Sequence, residues 1–338
     1  MTTRKLISKH ILADSTQYIG TDGEIWIDTV SNVLKISDGA TVGGVVITTD
    51  GGGGGGGAVA WAAITDINNA NGPTKIAVGK EAGLTNQGSQ TVAIGDNAGE
   101  TNQGIGATAV GPESGQTSQA ATATAVGYQA GRTDQKAGAV AIGITAGKTT
   151  QGAASVAIGQ LAATTTQGAS AVAIGDEAGK LTQGARSVAI GDTAGASTQG
   201  TFSVAIGNRA GAVTQSAKSV AIGYFPGQTN QGGQAVAIGV SAGNLNQGEE
   251  AVAIGEFAGM QNQGESAVAI GASAGISSQA DNSIVINATG TTLDNVVKDV
   301  FIVKPVRNGG AGGALPTGFH AVAYNPSTGE FAYYGAAG

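Results

Sequence analysis

Residues 187–207 read Ser187-Val188-Ala189-Ile190-Gly191-Asp192-Thr193-Ala194-Gly195-Ala196-Ser197-Thr198-Gln199-Gly200-Thr201-Phe202-Ser203-Val204-Ala205-Ile206-Gly207. The opening phrase returns after 16 residues, and it does so along most of the chain. Its closing glycine stands at Gly79, Gly95, Gly111, Gly127, Gly143, Gly159, Gly175, Gly191, Gly207, Gly223, Gly239, Gly255 and Gly271, with every interval 16. Four residues after it comes a second glycine, replaced once by Ala163. Four further on is a glutamine in every unit: Gln87, Gln103, Gln119, Gln135, Gln151, Gln167, Gln183, Gln199, Gln215, Gln231, Gln247, Gln263 and Gln279. A fourteenth unit begins at Ser283-Ile284-Val285-Ile286-Asn287 and then decays.

Two fixed glycines, a β-branched pair and no leucine stripe make this unit a poor helix. Val188 and Ile190 stand at i and i+2, the strand spacing that points both side chains to one face and Ala189 to the other. A unit this short cannot enclose a core alone and must stack on its neighbours. The fold class expected is all-β: a parallel β-solenoid, or β-roll, of about fourteen coils with a 16-residue repeat, flanked by small β-rich end modules. Coils stacked at the interstrand spacing of ~4.8 Å would span roughly 65 Å. Identical residues then form ladders, and the glutamines are expected to form a structural amide ladder, as such residues do in stacked sheets. Valine and isoleucine are expected inside. The alanine between them would face outward, where a uniformly small surface suits close approach by a sister chain in a cyclic homotrimer. The alternative left open is an interior too narrow for larger side chains.

Composition removes several functions. Among 338 residues there are 59 glycines, no cysteine and two histidines, His10 and His320. Disulfide, thiolate and zinc–thiolate chemistry are excluded, and a catalytic histidine is improbable. The net charge of −7 argues against nucleic-acid binding. No apolar run suits a membrane span, and the N-terminus carries no pattern of a secretory signal. No catalytic, cofactor or metal site is read from the chain. The polyglycine run fits a dinucleotide pattern trivially, and glycines at a fixed period are structural punctuation. Asp96, Asp176 and Asp192 follow closing glycines, but Tyr128, Gln160 and Ala272 share that position, which speaks against a calcium ladder.

Four segments follow. Residues 1–50 are expected to be an N-terminal attachment module. Residues 51–72 hold a linker of seven glycines, Gly51–Gly57, that would reach roughly 25 Å, and an apolar cap with Trp61, Ile64 and Ile67. The shaft is residues 73–290, and residues 291–338 form a β-rich tip whose final stretch, with Phe319, Tyr324, Phe331, Tyr333 and Tyr334, carries five of the chain's fourteen aromatic residues.

The repeated Ser-Val-Ala-Ile-Gly resembles the head repeat of trimeric autotransporter adhesins, which implies a trimeric parallel β-roll. The period here is longer, the extra residues falling in the turn with Thr-x-Gln-Gly. The stalk and membrane barrel of that class find no counterpart. The segment Tyr18-Ile19-Gly20-Thr21-Asp22-Gly23-Glu24-Ile25-Trp26-Ile27-Asp28, with Leu34-Lys35-Ile36-Ser37-Asp38-Gly39, is similar to the opening module of bacteriophage tail fibres and virion appendages, especially of marine cyanophages. A shorter likeness to marine viral fibre proteins lies at Phe319–Phe331. These resemblances imply a non-enzymatic phage fibre, a homotrimer assembled in the host cytoplasm and located on the virion as a tail, collar or head appendage. It would dock to other virion structural proteins through residues 1–50 and touch a host cell-surface glycan or protein, with no nucleic acid bound and no membrane insertion. The candidate receptor contacts are Phe319, His320, Tyr324, Tyr333 and Tyr334, because exposed aromatics stack on sugars; filling the end module's core is the competing role.

Two other functions stay open: a bacterial surface adhesin or extracellular filament subunit, and an ice-binding solenoid. The latter draws on threonines two residues before the glutamine, from Thr85 to Thr165, a row broken at Leu181, Val213, Leu245 and Gln261. After Lys218 the shaft has Glu249, Glu250, Glu256, Glu265 and Asp281 and no cation, read as a solvated face. Asn287-Ala288-Thr289 fits a glycosylation pattern to which no role is given.

Overall fold

The computed structural model describes residues 74–305 continuously and, outside them, Ala40 and five short strands. The chain divides into two compact units, Met1–Thr65 and Asp66–Gly338. In the first, Ile25–Asp28, Val33–Ile36 and Val45–Val46 form an antiparallel three-stranded sheet, with Ile25 opposite Ile36 and Lys35 opposite Val46. The polyglycine run and Trp61, Ile64 and Ile67 lie outside the described residues.

The second unit is the expected solenoid. No helix occurs among the described residues. One parallel sheet of 15 strands runs from Lys75–Val78 to Phe301–Lys304. Its register advances one repeat per strand: Val188 pairs with Val172 and Val204, Ala189 with Ala173 and Ala205. The sheet continues past residue 290, because Ile284–Asn287 pairs with Phe301–Lys304. A second parallel sheet of 8 strands, from Thr150–Gln151 to Gln261–Gln263, forms the rear wall. The Ala321–Asn325 and Glu330–Tyr334 strands make an antiparallel hairpin.

The interior reverses the expectation for the front strand. Ala189 and its sisters from Ala93 to Ala269 are fully buried, whereas the isoleucines are half-buried or exposed, Ile94 by 39% and Ile254 by 38%. The narrow-interior alternative therefore holds, and the valine and isoleucine ladders lie outside. The cause is the cross-section. A Cβ built on the second glycine at Gly179 would sit 3.4 Å from the Ala173 methyl, and on Gly259 it would sit 3.1 Å from that of Ala253. A valine would press on the glycine corner where each alanine stands; Val285 fills the position, fully buried, only in the last unit, where the repeat's glycines have ended. Apart from the glutamines, the other inward columns are equally small: Ala178 and Ala194 in the corner, and Ser187 or Ala171 before the strand. Ser187 Oγ donates to the Gly184 carbonyl at 2.6 Å, so its burial leaves no polar atom unpaired.

Corners are turned by left-handed residues. The second residue after every closing glycine has positive φ, including Leu161 (57°), Thr193 (52°), Phe225 (57°) and Phe257 (57°). L-residues resist this conformation. Neighbouring coils impose it here by fixing the corner from both sides: the Thr193 N–H donates to Asp176 at 2.9 Å, and the Gly195 N–H to Ala210 at 2.9 Å. Such strain persists where the surroundings over-determine it. Thr145 carries the heaviest burden, being β-branched at φ 55° with a buried Oγ1 that has no hydrogen-bond partner. Thr145→Gly removes both costs, against the greater chain entropy of glycine. It is expected to raise stability by about 1–2 kcal/mol in denaturant titration; a lower midpoint would show that the threonine is held by contacts that compensate its strain.

Candidate functional site

Three features of the column are candidates for function: the glutamine ladder, the front face and the two rims beside it. The ladder is structural, as expected. Gln183 Nε2 donates to the Val172 carbonyl at 2.7 Å and to Gln199 Oε1 at 3.1 Å. Gln199 repeats this toward Val188 and Gln215. The chain of amides runs unbroken from Gln87 to Gln279. Each glutamine braces the rear wall to the front strand and to the next coil. Gln103 to Gln279 are buried, and Gln87, in the first coil, is half-buried.

The front face is apolar from end to end. Its first outward column is valine from Val140 to Val268, with Val92, Thr108 and Thr124 before it; its second is Ile or Val throughout, from Val78 to Ile286. Fifteen strands at ~4.8 Å make a strip roughly 67 Å long; at ~10 Å wide it covers about 700 Å². Monomeric proteins rarely expose more than ~300–600 Å² in one patch. The strip approaches the ~800 Å² that one partner buries in a standard complex.

Two rims bound the strip. The leading rim, two residues before the first valine or threonine column, carries Arg186, Phe202 and Lys218. The trailing rim, directly after the closing glycine, carries Asp176, Asp192, Asn208 and Tyr224. The Arg186 guanidinium lies 5.4 Å from the Phe202 ring centre, and that of Arg209 lies 5.4 Å from Phe225. Tyr224 packs edge-on against Phe225 with ring centres 4.1 Å apart.

The other sequence candidates are dispersed. Phe319 and His320 lie outside the described residues. Tyr324, Tyr333 and Tyr334 belong to the C-terminal hairpin, where Tyr324 pairs with Phe331, Val322 with Tyr333 and Ala321 with Tyr334. Asn287 is buried: its Nδ2 donates to the carbonyls of Ala272 (2.8 Å) and Thr291 (2.6 Å), so the glycosylation pattern is a capping contact closing the stack. In the acidic far shaft, Lys298 binds Asp281 at 2.5 Å. This bond, with the Glu265 backbone N–H, lowers the Asp281 pKa, and the carboxylate raises that of Lys298. The contact is lost in acid as Asp281 protonates and in strong alkali as Lys298 deprotonates.

Parallel bridges join Thr85, Thr101, Thr117 and Thr133 of the row singled out in the sequence, and a second threonine row stands one residue later. Thr150, Thr166, Thr182, Thr198 and Thr214 stack on the rear wall. At the same position Asn86, Asn102, Ser118, Asp134, Asn230, Asn246, Asn262 and Ser278 all take positive φ, and the five threonines do not. Asparagine tolerates the left-handed region and β-branched threonine resists it, so residue choice decides where the rear strand begins.

Among the described residues, no cluster of His, Cys, Asp or Glu could hold a metal ion, and no helix is long and apolar enough to cross a membrane. No protein-family model matches the chain, and a search of curated proteins finds no similar one.

Proposed function

We propose that the protein is a non-enzymatic fibre, three copies joined along their valine–isoleucine faces into one shaft, which serves as a virion appendage for attachment to a host surface. The continuous apolar strip carries the assembly reading: each coil presents a β-branched or threonine residue beside an Ile or Val, and its removal from water stabilises by roughly 1 kcal/mol per coil. Alanines inside contribute less each, so the column gains much of its apolar burial by association. Three copies around one axis let every strip face two others, which closes the assembly and leaves no strip uncovered. The likeness of residues 18–39 to virion-appendage modules supports the location, and many weak contacts at the far end would act through avidity.

Sedimentation equilibrium is expected to give a mass of three chains. Val188→Lys with Ile190→Lys and Val204→Lys is expected to give single chains with unchanged circular dichroism. A wild-type chain that sediments alone removes the assembly. Antibody against residues 1–50 is expected to decorate the base of appendages on intact particles; decoration of bacterial filaments without particles would favour the adhesin reading. The five-threonine row favours one competitor, an ice-binding surface, and measurable thermal hysteresis would establish it in place of the fibre.

A further inference from the structure

We propose that the two rims meet as complementary edges of the assembly: Arg186 of one copy meets Asp192 of the partner subunit, the coils of all copies being level because a closed threefold ring admits no slip. The inference rests on the trimer proposed above and adds how its copies align. Three strips around an axis parallel to the column form a prism. Because every copy runs the same way around that axis, each edge of the prism joins the leading rim of one copy to the trailing rim of the next. Unlike rims always meet.

Their residues match level by level. With coils aligned, Arg186 faces Asp192 of the partner subunit, Phe202 faces Asn208 of the partner subunit, and Lys218 faces Tyr224 of the partner subunit. The first is an ion pair, and the third places a cation over an aromatic ring.

Other observations support the match. Arg186, Lys218 and Asp192 make no ion pair within the chain among the described residues, whereas Lys180, Arg132 and Lys136 do. Asp192 is held in place by Asn208, whose Nδ2 donates to it at 2.8 Å. Arg186 is oriented by its own Phe202. Small residues also meet large ones, as Ala153 and Ala154 face Leu161 of the partner subunit. The aligned register has one like-charge meeting, Glu250 with Glu256 of the partner subunit, which added salt should relieve.

Within one copy Arg186 and Asp192 stand on the turns at opposite ends of the strand Val188–Ile190, on the two sides of the strip, and form no ion pair with each other. Compensation between them can therefore pass only through a neighbour. Arg186→Glu or Asp192→Lys alone should raise the concentration for half-dissociation at least about tenfold, because three contacts per trimer become repulsive. Arg186→Glu combined with Asp192→Lys should return it to within about threefold of wild type. The neutral pair Arg186→Gln with Asp192→Asn should assemble with a weaker salt dependence than wild type. Both sites are exposed, and circular dichroism of each variant reports that the column is intact. A double reversal as weak as the single ones, or single reversals without effect, overturns the rim pairing while a three-chain wild type leaves the assembly standing. A single-chain wild type removes both.

Discussion

Gln199→Glu is expected to split the column at its middle at neutral pH and to do so far less in acid. The native amide donates to Val188 at 2.8 Å and to Gln215 at 3.1 Å, and accepts from Gln183 at 3.1 Å. A carboxylate can only accept, so it turns oxygen toward the Val188 carbonyl and toward Gln215 Oε1. A buried charge without a cation is added to two unpaired acceptors, a loss of roughly 3–5 kcal/mol. Burial raises the pKa of the introduced carboxyl above its unfolded value. The deficit is therefore full above the folded pKa and shrinks as pH falls through it, because the neutral acid regains one donor. Gln199→Leu removes the same donors without a charge, and its loss should not depend on pH. Denaturant titrations at pH 7 and pH 4 separate the two. If both variants unfold like wild type, the glutamines do not bear on the stack.

Gly191→Ala is expected to cost as much, for a reason independent of polarity. Gly191 has φ +127°, and a Cβ there would lie 2.6 Å from the Gly207 carbonyl oxygen of the next coil. That neighbour is backbone held in the ladder, so it cannot swing aside as a side chain would. Either the two coils part or both corners distort, at roughly 3–5 kcal/mol. The second glycine is a useful contrast. A Cβ on Gly195 would meet Gln199 side-chain atoms at about 3.0 Å, and the chain itself places Ala163 at the equivalent site with φ 46°. Gly195→Ala should therefore be milder than Gly191→Ala. Equal effects would mean that the corner tolerates no side chain anywhere. In a stack of nearest-neighbour contacts either defect should expose the adjoining coils first, which hydrogen exchange resolves coil by coil.

The period, the strand at Val188–Ile190 and the role of Gln199 were legible because a stack demands identity at ladder positions and nowhere else. The side on which Val188 and Ile190 lie was not, and the reason is physical. Bulky β-branched residues usually mark an interior, but this interior is bounded by a glycine corner on one side and a glutamine amide on the other. Alanine invariance from Ala77 to Ala269 recorded that constraint, while the valine and isoleucine ladders recorded a surface that wants covering. The corner at Thr193 was hidden for a different cause. Its residues vary from glutamate to phenylalanine, so no side-chain preference announces positive φ; two coils of hydrogen bonds impose it. The rear strand could have been read from Asn230, Asn246 and Asn262 giving way to Thr150 through Thr214, since that exchange follows left-handed tolerance directly. The extension of the front sheet to Phe301 escaped the periodicity because Ile284 and Phe301 are 17 residues apart.

The absence of cysteine gives the stack a direct ruler. Ala153, Thr201 and Glu249 are exposed at the same corner of their coils. Spin labels on Ala153→Cys with Glu249→Cys, six coils apart, and on Ile105→Cys with Glu249→Cys, nine coils apart, can be measured by pulsed electron paramagnetic resonance in chains diluted with unlabelled protein. Stacked coils predict separations of roughly 29 Å and 43 Å, a constant ~4.8 Å for each 16-residue step. Distances that fail to grow in proportion to the number of repeats would contradict the column on which the fold, the face and the register all depend.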